Sequence, residues 1–156
     1  MKSLEVVIAI ISDSKDMLLF QHRKRRSYQN YLGLVGGKIE QGESPKIAMS
    51  REIKEETSLD VSQCVYLGRV IETLITQNIS TKVLLHIFVV KVDGQLKSSM
   101  QEGDLLWVKK NSFLKEKERY IPTDWLIVHS FISKHSLLTR ILIENKGEKY
   151  EIKSTN

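Results

Sequence analysis

The distribution of apolar and polar positions predicts strands before anything else. Residues 4–11 (LEVVIAII) are apolar almost throughout, and residues 17–22 are mostly so. The polar run Ser12-Asp13-Ser14-Lys15-Asp16 between them reads as a turn. Residues 31–35 form a short strand or extended segment leading into Gly36-Gly37. Residues 61–76 read mostly as strand, bent near Gly68. Residues 81–92 (TKVLLHIFVVKV) are rich in β-branched side chains and are the strongest strand in the chain. They end at the Asp93-Gly94 turn signal. Residues 104–108 add another short strand.

Helical signals occupy two stretches. Ser44 is a good N-cap, and Pro45 suits the first helical position, where its missing N–H costs nothing. The helix so started runs over residues 45–57. Ile47, Met49 and Ile53 are its candidates for packing. Residues 124–134 (DWLIVHSFISK) predict a second helix after Pro122, with Trp125, Val128 and Ile132 as an apolar stripe. Residues 137–144 and 149–153 read as a terminal hairpin around Asn145-Lys146-Gly147. Strands mixed with two helices indicate an α/β architecture. The chain is expected to be a single domain over residues 1–156, with residues 136–156 as a hairpin extension.

Composition narrows this picture. A length of 156 residues suffices for one domain with a real core. Charged residues at 28% and hydrophobic ones at 41% are ordinary for a globular protein. Cys64 has no partner cysteine, so no internal disulfide forms, which suits a reducing cytoplasm. The apolar run near the start is too short for a membrane span and is better explained as a buried strand. Cytoplasmic location without a membrane partner is expected. The net charge of +5 suits a polyanionic ligand. Its densest basic cluster is Arg23-Lys24-Arg25-Arg26, where Lys24 and Arg26 read as solvated. His22, His86, His129 and His135 lack zinc-site spacing and read as structural or surface residues.

Chemistry concentrates between Gly36 and Leu59. Glu52, Glu55 and Glu56 fall within an arc of about 100° on one side of the first helix. Like charges so placed repel by about 0.2–0.5 kcal/mol per pair in an isolated helix. A hard divalent cation reverses that penalty, because it prefers carboxylate oxygens. Ala48 lies inside the same arc and is small enough to leave room for a ligand. Arg51 flanks the acidic arc and suits a bidentate contact that orients a carboxylate. A solvated acidic helix face is the bland alternative. It leaves unexplained why Gly37, Glu43 and the Arg51-Glu52-Ile53-Lys54-Glu55-Glu56 run fall together.

These residues resemble the Nudix box: Gly, five residues, Glu, seven residues, then Arg-Glu-apolar-x-Glu-Glu-x-Gly-apolar. Gly37, Glu43, Arg51, Glu52, Ile53, Glu55, Glu56 and Leu59 match in register. Two positions depart. Ser58 stands where the family usually has glycine, and Val35 where many relatives have proline. Neither change removes a carboxylate. The resemblance implies the Nudix α/β/α sandwich with a mixed sheet, and hydrolysis of a nucleoside diphosphate linked to another group. It implies Mg²⁺, with Mn²⁺ as a substitute, held by Glu55, Glu56 and the Gly37 carbonyl. Glu52 is either a further ligand or the general base. Glu43 supports the site through a second metal, water or Arg51. Glu102, before residues 105–108, matches a loop position where relatives often carry a metal-binding or catalytic glutamate. It also reads as a plain loop carboxylate, with Asp104 as the fallback.

Within the family the chain looks like the MutT type, which removes oxidised purine nucleoside triphosphates such as 8-oxo-dGTP. Residues 18–23 (LLFQHR) resemble the strand whose final arginine meets the substrate, and residues 36–40 carry the usual GGKIE wording. Residues 120–125 (YIPTDW) resemble the segment where an Asn or Asp after proline reads the purine edge. Asp124 is thus a purine reader or the N-cap of its helix. Arg23 and Lys38 are phosphate contacts or surface cations. Alternatives are hydrolysis of a nucleotide sugar or of the 5′ triphosphate of an RNA, and a noncatalytic nucleotide-sensing module. Other nucleic-acid binding is not expected, and the protein is read as a monomer or homodimer.

Overall fold

Strand β1 (Ser3–Ser12) is apolar on both sides because both of its faces are covered. A computed structural model describes residues 3–24, 27–97 and 104–156. In it β1 pairs parallel with β6 (Ile79–Asp93) and antiparallel with β4 (Val35–Lys38). Strands β2 (Leu18–His22), β3 (Leu32–Gly33), β5 (Asp60–Thr76), β7 (Leu105–Val108), β8 (Arg140–Asn145) and β9 (Tyr150–Thr155) complete one mixed sheet. Its order is β3-β2-β1-β6-β5-β8-β9, with β4 on β1 and β7 on β2.

Alternation along β1 sends its side chains to two cores. Val7, Ala9 and Ile11 pack with Phe88 and Val90 beneath helix α1 (Pro45–Thr57), against its Ala48, Met49 and Ile53. Ile8 and Ile10 join Phe20, Val70, Leu85 and Ile87 on the other face, under Trp125, Ile127 and Val128 of helix α3 (Pro122–Ile132). Helices on both faces of a mixed sheet give the α/β/α arrangement that the resemblance implied. Ala48 is fully buried against the sheet, so it makes no room for a ligand; its smallness lets α1 approach β1. Ile47 is 59% exposed and packs no core.

The long β5–β6 hairpin turns at Gln77 and Asn78, both at positive φ, as a two-residue hairpin loop requires. The bend near Gly68 is a register shift between Tyr66 and Gly68, where Gly68 takes φ of +135°. The short segment before the glycine pair becomes two strands, and β4 runs through Gly36-Gly37 to Lys38. Helix α2 (Lys110–Lys115) and a 3₁₀ turn (Lys117–Arg119) were not expected. In α2 Phe113 alone is buried, so no apolar period announces it. Among the described residues no helix is long and apolar enough to cross a membrane.

Ser58 takes the left-handed conformation that glycine usually supplies, with φ of 63°, and its N–H closes α1 on the Lys54 carbonyl. A side chain there is strained. Ser58→Gly is expected to raise stability by roughly 0.5–1 kcal/mol, after allowing for glycine's extra freedom in the unfolded chain. Urea unfolding of both proteins checks this, and a loss of stability refutes it.

Candidate active site

Helix α1 sits beside β4, and this places its carboxylates around Arg51. The guanidinium donates to both Glu43 oxygens, Nε to Oε2 at 2.7 Å and Nη2 to Oε1 at 2.8 Å. Nη1 donates to Glu52 Oε1 at 2.9 Å and Glu55 Oε2 at 3.2 Å, and Nη2 donates to the Lys38 carbonyl at 3.0 Å. The bidentate contact expected of Arg51 is therefore made to Glu43, and it ties the box loop to the helix. Hydrogen bonding to Arg51 and the Glu40 N–H holds the Glu43 carboxyl down at about 2.

Glu52 lies against strand β4. A Cβ added at Gly37 would meet the Glu52 carboxyl, coming within 2.5 Å of its Oε2. Glycine at 37 is what admits that carboxyl. Glu56 is buried and accepts from Gln21 Nε2 at 3.2 Å. Glu55 is the exposed member, with 57% of its side chain open.

Glu52, Glu56, Gly37 and Lys38 line a cavity of about 740 Å³ that also takes in Arg23, Tyr28, Glu72 and Asp124. One cavity thus joins the box glutamates to the segment after Pro122. Glu43 and Glu55 are not part of its lining and act around Arg51. Lys24 forms a 3.5 Å ion pair with Asp104. Glu102 lies outside the described residues.

Asp124 is not a helix cap. Helix α3 starts at Pro122 with Ile121 as its N-cap residue, and no side chain caps it. Asp124 is 6% exposed, and its Oδ2 accepts from the Leu34 N–H at 2.8 Å. Burial pushes its carboxyl up to about 7. Leu34 and Gly33 belong to the stretch before the glycine pair, so this bond ties α3 to the β3–β4 corner.

Glu72 was not foreseen. It sits in mid-β5, opposite Val83 of β6 and Ile141 of β8, and is 7% exposed. Burial raises its carboxyl above the usual range, against the smaller lowering by Thr123 and Tyr28. The signal was present: Val70 and Leu74, two residues to either side, face the core, so Glu72 shares their face.

The donor set suits a hard divalent cation. Glu52, Glu56 and the Gly37 backbone offer oxygen alone, and the space a Cβ would fill at Gly37 is taken up by a carboxylate. Among the described residues no three acidic, imidazole or thiol groups are already gathered at metal-holding distances, and Glu43, Glu52 and Glu55 converge on Arg51 instead.

A family profile described as NUDIX domain matches residues 2–129. Over 70 residues the chain is 33% identical to an 8-oxo-dGTP diphosphatase of Proteus vulgaris, a match covering 44% of this chain and 62% of that protein. Over 60 residues it is 35% identical to the 8-oxo-dGTP diphosphatase of Escherichia coli (strain K12), covering 38% of this chain and 46% of that protein. The matched stretches thus span about half the length of these relatives. The solved MutT protein from Bacillus halodurans shares the fold with a TM-score of 0.73 over 98% of this chain and 96% of that one, at 24% identity.

Proposed function

The chain belongs to the Nudix family, and on that premise we propose that it is a divalent-cation-dependent pyrophosphohydrolase. Its substrate is a purine nucleoside triphosphate, oxidised forms such as 8-oxo-dGTP included, and its products are the nucleoside monophosphate and pyrophosphate. The observation that carries this reading is the shared cavity, which brings Glu52 and Glu56 together with a buried carboxyl, Asp124. The similarity to 8-oxo-dGTP diphosphatases points the same way.

Gly37, Glu52, Glu55 and Glu56 would hold Mg²⁺ or Mn²⁺, with Glu43 and Glu102 in support. The bound cation supplies charge neutralisation on the phosphates and a lowered pKa for water. Arg51 keeps Glu52 and Glu43 in place. Glu52, or Glu102, takes the proton of the attacking water. Arg23 and Lys38 bind phosphate oxygens. Asp124 reads the base, accepting from guanine N1–H and N2–H₂. The decisive experiment is a panel of nucleoside triphosphates, 8-oxo-dGTP, nucleotide sugars and 5′-triphosphorylated RNA, with products identified. A preference for any class other than purine triphosphates sinks this substrate assignment. Nucleotide binding without cation-dependent product favours a sensing module.

Asp124 also ties stability to pH. A carboxyl raised by folding from 3.8 to about 7 penalises the folded state progressively as pH rises across that window. Asparagine keeps an acceptor for the Leu34 N–H but carries no charge. Asp124→Asn is expected to match the parent near pH 4 and exceed its stability at pH 8 by roughly 2–4 kcal/mol. Melting temperatures across pH check this, and parallel curves refute it. The same variant is expected to lose purine selectivity, a trade of function against stability.

A further inference from the structure

Another carboxyl lining the cavity, Glu72, stands in the middle of the sheet and forms no ion pair among the described residues. The backbone at Glu72 is fixed, because β5 is paired on both sides at this position. Among the described residues, three buried polar atoms in its surroundings lack partners: Tyr28 Oη, Thr123 Oγ1 and Arg23 Nε. The two hydroxyls approach the Glu72 carboxyl without reaching hydrogen-bond geometry, and Arg23 and Asp124 complete the charged surroundings. Buried polar groups are ordinarily satisfied within the fold. Tyr28 and Arg23 line the cavity with Glu72, and unsatisfied groups so placed mark a position where a ligand completes the bonding. A carboxyl buried in mid-sheet costs the fold stability, which a role confined to folding does not explain.

We propose that Glu72 is a specificity-determining residue, which accepts a hydrogen bond from the exocyclic amino group of a 2-aminopurine base held beside Asp124. The inference rests on the purine reading of the cavity and extends it. Two neighbouring carboxyls make an acceptor-rich wall. Such a wall suits a base edge rich in N–H donors, as guanine has, and disfavours hypoxanthine, which lacks the amino group.

The test compares binding of GMP and IMP to the full chain by calorimetry without added metal, for wild type, Glu72→Met, which keeps the length and removes the acceptor, and Glu72→Asp, which draws it back from the base. Melting temperatures establish that each variant is folded, and Glu72→Asp serves if Glu72→Met is not. Wild type is expected to favour GMP, and the GMP-to-IMP affinity ratio is expected to fall by about tenfold in the variant. A ratio within threefold of wild type, or a wild type with no preference for GMP, overturns the proposal. A purely structural Glu72 moves the melting temperature and leaves the ratio alone. Failure of the hydrolase reading shows separately, as absent cation-dependent turnover of every triphosphate while the binding ratio persists.

Discussion

Replacing Glu56 with glutamine is expected to lower kcat by about 10²–10⁴-fold with the fold intact. The amide keeps the side chain's volume, and its carbonyl still accepts from Gln21 Nε2, which now meets Glu56 at 3.2 Å. What is lost is a negative charge in the cavity that Glu52 and Gly37 also line. Glu52→Gln is expected to fall in the same range. The pH profile separates the possible roles of Glu52. Loss of an acid limb of kcat/KM marks the base, whereas a raised cation requirement with the limb kept marks a ligand. Glu55→Gln shares the direction of the effect. Steady-state kinetics across Mg²⁺ concentration reads all three variants. Unchanged turnover in both Glu55→Gln and Glu56→Gln removes the proposed metal site.

The acidic helix was legible because its signals are local. Ser44, Pro45 and the Glu52-Glu55-Glu56 spacing act within a few turns of chain, and α1 forms over the predicted residues. Strand β1 was legible for a different reason, a sustained apolar run that only burial on both faces explains. Ala48 was misread because an arc drawn on a helix does not say where the sheet lies. The side carrying Glu52 and Glu56 borders both cavity and core, and Ala48 falls on the core side. The hydrogen-bond partner of Asp124, Leu34, is 90 residues away in the chain. No local rule distinguishes that bond from a cap. Glu72 was readable in principle from its apolar neighbours at two-residue spacing. Its significance rests on Tyr28, Thr123 and Asp124, which β5 meets only through the fold.

Gly37→Ala is the sharpest steric test of the site, and its contrast with Gly36→Ala decides what the glycine pair does. Gly37 has no left-handed φ, so alanine is compatible with the backbone there. The new methyl would nevertheless collide with the Glu52 carboxyl. That carboxyl must swing away, and its 2.9 Å contact with Arg51 Nη1 goes with it. A displacement of about 1 Å in a reacting or metal-holding group costs on the order of 10²-fold in rate. Gly37→Ala is therefore expected to lose about 10²-fold in kcat with little change in melting temperature. At Gly36 the added carbon runs into the backbone carbonyl of Val7, across the β1–β4 pairing. No side-chain rotation relieves that clash, so Gly36→Ala is expected to unfold at a markedly lower temperature. Equal kcat for Gly37→Ala and wild type shows that Glu52 need not stay against β4 during turnover. A lowered melting temperature in both variants shows instead that the glycine pair is a folding requirement rather than a seat for the Glu52 carboxyl.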